Sequence, residues 1–395
     1  MQTDSPAAYE YATRDIDPPL EVVDLDAFDA NADALVARAA GKPIRVASKS
    51  VRCRALLERV LARPGFAGLL CYSLAEALWL CEQEVTDDLL VAYPTADAAA
   101  LHRLAADPRA RRRITIMVDS VAHLDLIDRV LGTGHPPLRV CLELDASWRP
   151  LPGIHVGTRR SPLFTPGQAA AFARTVSSRA GFQPVAMMAY EGQIAGVPNA
   201  GRGPQHAVVR WMQRRSAAEL AQRREAAVHA VREVTELEFV NGGGTGSVES
   251  TRTESAVTEV AAGSGLIGSA LFDGYTRFRP NPAVLFALPV VRKPARGIAT
   301  LFSGGYIASG PPGPSRVPTP HQPSGLQLLG TEGAGEVQTP VTGKAAKRLR
   351  PGDRVWLRHA KAGELAERFT SYRLVSGNRM VQTAPTYRGE GKNFG

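Results

Sequence analysis

Three stretches of this chain hold residues whose types and spacing could do chemistry together. The first is Lys49, at the end of the β-prone run Arg45-Val46-Ala47-Ser48-Lys49. A lysine at the mouth of a barrel is expected to be partly desolvated, which lowers its pKa and frees the amine to form a Schiff base with an aldehyde. The second is Asn241-Gly242-Gly243-Gly244-Thr245-Gly246-Ser247. Glycines there let successive backbone N–H groups converge on an anion, and Thr245 and Ser247 add hydroxyl donors. The third, Ala261-Ala262-Gly263-Ser264-Gly265, can complete the same cradle. Alone, each is ordinary. An isolated lysine is usually a solvated strand cap, and a glycine-rich loop is often a tight turn.

What joins them is the order of elements around them. Short β-prone runs at 44–49, 68–72, 89–93, 114–119, 138–145, 185–190, 237–241 and 258–261 alternate with longer Ala/Leu/Arg-rich segments. Apolar residues in those segments recur at three- and four-residue spacing, most clearly in 55–61 and 217–231. Strand–helix alternation of this length predicts an α/β chain whose parallel sheet closes into a TIM-type (β/α)8 barrel. An open doubly wound sheet is the rival, but it would want a Gly-x-Gly-x-x-Gly turn where Ala47-Ser48-Lys49-Ser50 stands. In such a barrel the active site lies at the C-terminal strand ends, and the loops after the seventh and eighth strands habitually take phosphate. Lys49 then ends the first strand, with the two glycine stretches after the seventh and eighth. One ligand carrying an aldehyde and a phosphate would span them, and pyridoxal 5'-phosphate has both.

Beyond about residue 270 Pro and Gly become dense, as in Gly310-Pro311-Pro312-Gly313-Pro314, and helical periodicity ends. Short runs such as Arg354-Val355-Trp356-Leu357 persist, and Ser376-Gly377-Asn378-Arg379 reads as a hairpin loop. The expected division is an N-terminal segment 1–30 packing on a β domain, a cofactor-binding barrel 31–268, and a C-terminal β domain 269–395.

Composition narrows the class. Apolar residues make up 44% and charged residues 22%, as in a globular protein. The net charge of +9 comes from scattered basic residues without interleaved aromatics, which argues against nucleic acid and suits a protein that gathers phosphates and carboxylates. Cys53, Cys71, Cys81 and Cys141 form no Cys-x-x-Cys pair and sit in apolar surroundings, as buried reduced thiols do. No apolar stretch reaches the roughly 18 residues needed to cross a bilayer, and the first residues lack a signal-peptide pattern. The expectation is a cytoplasmic protein with no membrane partner.

With these residues in place, the chain resembles the fold-type III pyridoxal-phosphate enzymes, in their D-threonine aldolase/D-serine dehydratase-like branch. The resemblance is carried by Val46-Ala47-Ser48-Lys49-Ser50, Tyr190-Glu191-Gly192-Gln193-Ile194-Ala195-Gly196, Gly242 to Ser247, Gly263-Ser264-Gly265-Leu266 and Gly352-Asp353-Arg354-Val355-Trp356-Leu357-Arg358-His359. It runs in order over most of the chain. It implies an alanine-racemase-like barrel, a homodimer, and an amino-acid substrate. It makes Lys49 the cofactor lysine, Gly243, Gly244, Thr245 and Gly246 the phosphate loop, and Tyr190 a neighbour of the cofactor ring. Which of Arg149, His155, Arg159 and Arg160 meets the ring oxygen stays open.

The chain departs from the branch at one triplet. The branch holds a divalent metal through a His-x-Cys or His-x-Asp pair, and here the corresponding residues are His359-Ala360-Lys361, followed by Gly363-Glu364. An ammonium has donors and no lone pair, so Lys361 is no ligand. Either no metal is bound and Lys361 supplies its positive charge, or His359 holds one with another residue such as Glu364. The expected activity is a lyase, aldolase or dehydratase, acting on D-configured or α-substituted β-hydroxy amino acids. Lys49 would serve as α-proton base, and His359 or Lys361 would act at the β-hydroxyl. A racemase, drawing its second base from Tyr275, Tyr306, Tyr372 or Tyr387, and a non-catalytic cofactor carrier are the alternatives.

Overall fold

The computed structural model of the chain describes residues 8–395. It divides into two compact units, one made of 34–49, 57–263 and 394–395, the other of 8–33, 50–56 and 264–393.

The first unit is the barrel. Its strands are β2 (Ile44–Ala47), β3 (Phe66–Cys71), β4 (Leu89–Val91), β5 (Ile114–Val118), β6 (Leu138–Glu143), β7 (Phe182–Ala189), β8 (Phe239–Gly242) and β9 (Glu259–Ala262), and they close in that order. Every neighbouring pair is parallel, with β9 returning to β2 through Ile44↔Val260. These strands read as near-continuous apolar runs because a parallel barrel buries both of their faces. All eight expected strands form, but most end one or two residues short of the sequence estimate. The residues left over, Ser48–Lys49, Tyr72, Ala92–Tyr93, Asp119, Leu144–Asp145 and Tyr190, are those that leave the ladder at the C-terminal rim. The central filling includes Leu70, Leu90, Met117, Cys141 and Met188, with Tyr93 and Tyr190 packed against it. Buried Arg45 contributes an ion-pair cluster, bonding Glu259 at 2.6 Å and Asp88 at 2.7 Å.

The second unit is built on a nine-stranded sheet that starts with β1 (Leu20–Asp24). The rest are β10 (Val284–Ala295), β11 (Ile298–Phe302), β12 (Thr319–Gln322), β13 (Leu326–Leu328), β14 (Gln338–Gly343), β15 (Arg354–Arg358), β16 (Ser371–Ser376) and β17 (Arg379–Pro385). β1 lies antiparallel to β10 and parallel to β16, so the N-terminal segment is a central strand of this sheet. The part of that segment before residue 8 lies outside the described residues. The hairpin read at Ser376–Arg379 joins β16 to β17, with Gly377 at φ 54°. A glycine meets that positive φ without the steric cost a side chain would carry. All four cysteines are free and buried.

Candidate active site

Lys49 sits in the 3-10 turn Ser48–Ser50 that follows β2. Ser48 is fully buried and its hydroxyl donates to the Leu70 carbonyl at 3.1 Å, which pins the turn to the neighbouring strand. Lys49 itself is exposed, so the desolvation expected of it is not what sets it apart. What does is its partner. Its Nζ donates to the Tyr93 hydroxyl at 2.9 Å, from the segment after β4.

Tyr93 belongs to a stacked group at the rim. The Arg160 guanidinium lies 5.2 Å from the centre of the Tyr93 ring and 4.9 Å from that of Tyr190, so one cation covers two aromatic faces. Arg160 also lies 3.9 Å from Glu143, the last residue of β6. Burial, reinforced by Asp119 and Asp145, pushes the Glu143 carboxyl up to about 7 against the pull of Arg160 and His123. Burial likewise raises the Tyr190 phenol to about 12. Of the four candidates after β6, Arg160 is the one seen over both Tyr93 and Tyr190. Arg149 is paired with Asp145 and lies 4.0 Å over the Phe164 ring, and His155 Nε2 is 3.2 Å from the Thr158 carbonyl oxygen. A cleft of about 480 Å³ beside Arg160 is lined by Asp145, Arg149, His155, Arg159 and Ser161.

The glycine loop after β8 is organised from below. Gly243 N–H donates to Glu191 Oε2 at 3.2 Å and Gly244 N–H to the Ser247 hydroxyl at 3.1 Å. Those two amides bond within the protein, to a carboxylate and to a hydroxyl of the same loop. The need for glycine at 244 is steric: a Cβ there would lie 2.9 Å from Ala195 Cβ and 3.0 Å from Tyr190 Cε2. Thr245 is buried, and its carbonyl accepts from Arg38 at 2.7 Å. Gly246 and half-buried Ser264 follow in the same two rim loops, Ser264 opening the short helix Ser264–Ile267. At Gly263 a Cβ would stand 2.5 Å from the Ala47 carbonyl oxygen, so only glycine lets this loop approach the strand that carries Lys49.

Lys49, Tyr93, Arg160, Tyr190 and Gly244 thus form one contact series. His359 and Lys361 belong to the β-rich unit. His359 is 3% exposed, and neither ring nitrogen has a hydrogen-bond partner among the described residues. Burial, with the charge of Arg358, lowers its pKa to about 3 and keeps the imidazole neutral. Lys361 Nζ donates to the Ser309 carbonyl at 3.1 Å and hydroxyl at 3.2 Å, and the Ser309 N–H donates to Glu364 at 2.9 Å. Glu364 and Lys361 therefore share one serine. Among the described residues no three His, Cys, Asp or Glu side chains are grouped to hold a metal ion.

Tyr93, Glu143 and the buried Glu191–Arg224 pair escaped the sequence reading. Tyr93 and Glu143 had a usable signal, since each lies at the C-terminal end of a barrel strand. Among the described residues no helix is long and apolar enough to cross a membrane.

Residues 23–270 match the family described as alanine racemase, N-terminal domain. No curated protein matches the chain. Among solved structures, D-threonine aldolase from Filomicrobium marinum is similar at TM-score 0.78 and 21% identity, over 95% of this chain and 96% of that one. D-threo-3-hydroxyaspartate dehydratase from a Delftia species is similar at TM-score 0.68 and 22% identity, over 94% and 97%. Alanine racemase from Corynebacterium glutamicum is similar at TM-score 0.56 and 16% identity, over 85% and 88%.

Proposed function

The chain belongs to the alanine racemase N-terminal domain family of fold-type III pyridoxal-phosphate proteins, and on that premise we propose that it is a lyase acting on D-configured β-hydroxy amino acids. The observation that carries the proposal is Lys49 at the barrel rim, bonded to Tyr93 and joined through Arg160 and Tyr190 to the glycine loop.

The residues present fit the cofactor. Lys49 offers an exposed amine for its aldehyde, and Arg160 a cation for its ring oxygen. Tyr190 offers an aromatic wall, and Gly243, Gly244, Thr245, Gly246 and Ser264 the two rim loops for its phosphate. When bound, the cofactor supplies an electron sink for the bond broken at the substrate α-carbon. The protein does the rest. Lys49 would hold the cofactor through Nζ, and the same atom would take or return the substrate α-proton. Arg149, His155 and Arg159 along the cleft beside Arg160 present positive or donor groups suited to a substrate carboxylate. The motif, rather than geometry, assigns His359 and Lys361 to the β-hydroxyl.

Lyase rather than racemase chemistry is favoured by the tyrosines. Tyr275, Tyr372 and Tyr387 are buried, and the Tyr306 hydroxyl lies 3.0 Å from that of Ser303. The same reading makes the enzyme a cytoplasmic homodimer without nucleic-acid or membrane partners. The test is a product screen of cofactor-loaded protein against D- and L-β-hydroxy amino acids. Aldehyde, or keto acid with ammonia, from the D-substrates is the expected result. Accumulation of the enantiomer alone would replace the proposal with a racemase.

A further inference from the structure

We propose that one corner of the β-rich unit, where the tip of the β10–β11 hairpin meets the turn after β14, docks an acidic segment of a partner protein. The hairpin supplies Arg292, Lys293 and Arg296, and the turn supplies Lys344, Lys347, Arg348 and Arg350.

The fold makes this surface from two stretches that lie far apart in the chain. β11 pairs with β10 through Ala295↔Ile298 and with β14 through Ile298↔Thr342, which brings both stretches to one end of the sheet. Arg296 and Gly297 make the hairpin turn, with Gly297 at φ 88°. The Thr342 hydroxyl donates to the Gly297 carbonyl at 3.1 Å, and Lys293 Nζ donates to the Ala346 carbonyl. A Cβ on Gly297 would stand 3.8 Å from Lys347 Cγ. Hairpin and turn are therefore one surface.

Its charge is unbalanced. Neither 289–301 nor 340–352 contains an Asp or Glu. The acid that follows, Asp353, accepts the Arg350 N–H at 2.7 Å. Among the described residues none of the seven cations pairs with an acid, and all but Lys293 are exposed. Basic residues on the barrel are treated differently: Arg103, Arg109 and Arg113 each have a carboxylate, on Glu82, Glu84 and Asp87. Like charges gathered without counter-charges repel one another, and a negative partner relieves that repulsion.

The chemistry of the corner selects the partner. It has no aromatic side chain on which a base could stack. Among the described residues Val291 is its one exposed large apolar side chain, too little to enter a lipid surface. Four of the seven cations are arginines, whose planar forks grip carboxylates through two parallel bonds. A run of Asp and Glu laid across hairpin and turn would meet guanidinium groups on both.

The test uses the full chain and a fluorescein-labelled peptide in which Glu alternates with Gly and Ser. Three forms are compared by fluorescence anisotropy. One is the parent, and the second carries Arg292→Gln, Arg296→Gln, Lys347→Gln and Arg348→Gln. The third, a control, loses the same charge from exposed arginines of the barrel unit, through Arg202→Gln, Arg214→Gln, Arg215→Gln and Arg232→Gln. Peptide affinity should fall by about tenfold in the corner variant, the scale of several exposed ion pairs lost together. The control should stay within about twofold of the parent, and parental binding should weaken steeply as salt rises. Thermal melting checks that each form is folded. If the corner variant melts early, Arg292→Gln with Arg348→Gln is compared with Arg214→Gln with Arg215→Gln instead. No parental binding at low salt, or an equal loss in corner and control variants, would overturn the inference. So would a single-stranded oligonucleotide or phosphatidylserine vesicles binding the corner more tightly than the peptide.

Discussion

Glu191 and Arg224 face each other at 2.9 Å with each side chain 1% exposed, and this pair ties the end of β7 to the long helix Pro204–Arg232. Glu191 Oε2 also accepts the Gly243 N–H, while Oε1 accepts the hydroxyls of Ser247 and Thr251. Arg224 reaches Glu254 at 3.0 Å. The carboxylate thus shapes the loop that the proposal gives to phosphate, and it does so from beneath. Removing one partner of a buried pair leaves the other charge uncompensated, at a cost of about 3–5 kcal/mol. Glu191→Ala should lower unfolding stability by that order in urea titrations, and should weaken pyridoxal-phosphate binding as well. Parental affinity in a destabilised Glu191→Ala protein would show that the pair supports the barrel and not the loop.

Gly244 gives a sharper test of the same loop. A Cβ at this position meets Ala195 and Tyr190 at 2.9 and 3.0 Å, closer than packed carbons tolerate. Relief requires Tyr190 or the loop to move, and overpacking of this kind costs about 1–3 kcal/mol. Gly244→Ala should therefore weaken cofactor binding by about tenfold, read by equilibrium dialysis. Adding Ala195→Gly removes one of the two contacts and should restore part of the loss. If the double variant binds no better than Gly244→Ala, the effect comes from the backbone rather than from crowding.

The Glu143 carboxyl, pushed up to about 7, makes a prediction with a definite sign. Its folded pKa exceeds the ordinary value of about 4.3, so between those pH values the folded protein holds a proton that the unfolded chain has released. Stability from this group is therefore full below about pH 4, declines as pH rises toward 7, and stays low above it. Glu143→Gln should raise stability relative to the parent above pH 7, by up to about 3 kcal/mol, and leave it unchanged below pH 4. Urea unfolding at pH 4, 6 and 8 measures the difference. A gain that does not depend on pH would mean that Glu143 is ionised throughout, held by Arg160.

How much of this was legible in sequence depends on the distance over which each relationship acts. The barrel was readable because alternating apolar strands and three- and four-spaced helices are local patterns, and Lys49 and the glycine loops because their positions follow from strand order. The strand ends were overrun because Ala92, Tyr93 and Leu144 are as apolar as the strands they follow, and only the ladder shows where pairing stops. Glu191 and Arg224 are separated by most of the long helix Pro204–Arg232, in which Arg224 is one of many arginines, so nothing local marks it as the buried one. The four candidates Arg149, His155, Arg159 and Arg160 could not be ranked, because the loop after β6 folds back irregularly around the isolated Trp148↔Val156 bridge. The internal partners of the Gly243 and Gly244 amides were not readable for a similar reason, since they lie at a different strand end and on Ser247.

Lys361 stands where the resemblance to the aldolase and dehydratase branch would put a metal ligand, and its surroundings allow two roles to be separated. Its Nζ bonds Ser309 twice, and Glu364 takes the N–H of the same serine, so the lysine braces the segment at 309. Its charge can also stabilise an oxygen on which negative charge develops, the work a divalent metal would do as a Lewis acid. Glutamine at 361 keeps a donor for Ser309 and loses the charge, whereas alanine loses both. If the charge matters, Lys361→Gln and Lys361→Ala should each lose about 100-fold in kcat, the order found for one charge-stabilising donor, with KM little changed. Parental turnover should then survive prolonged chelation. If the brace matters, Lys361→Gln should hold near-parental kcat and Lys361→Ala alone should fall, together with its thermal stability. Chelator-sensitive turnover, with one divalent ion per chain by elemental analysis, would instead give the β-hydroxyl to a metal on His359, whose buried, neutral imidazole keeps a lone pair for it.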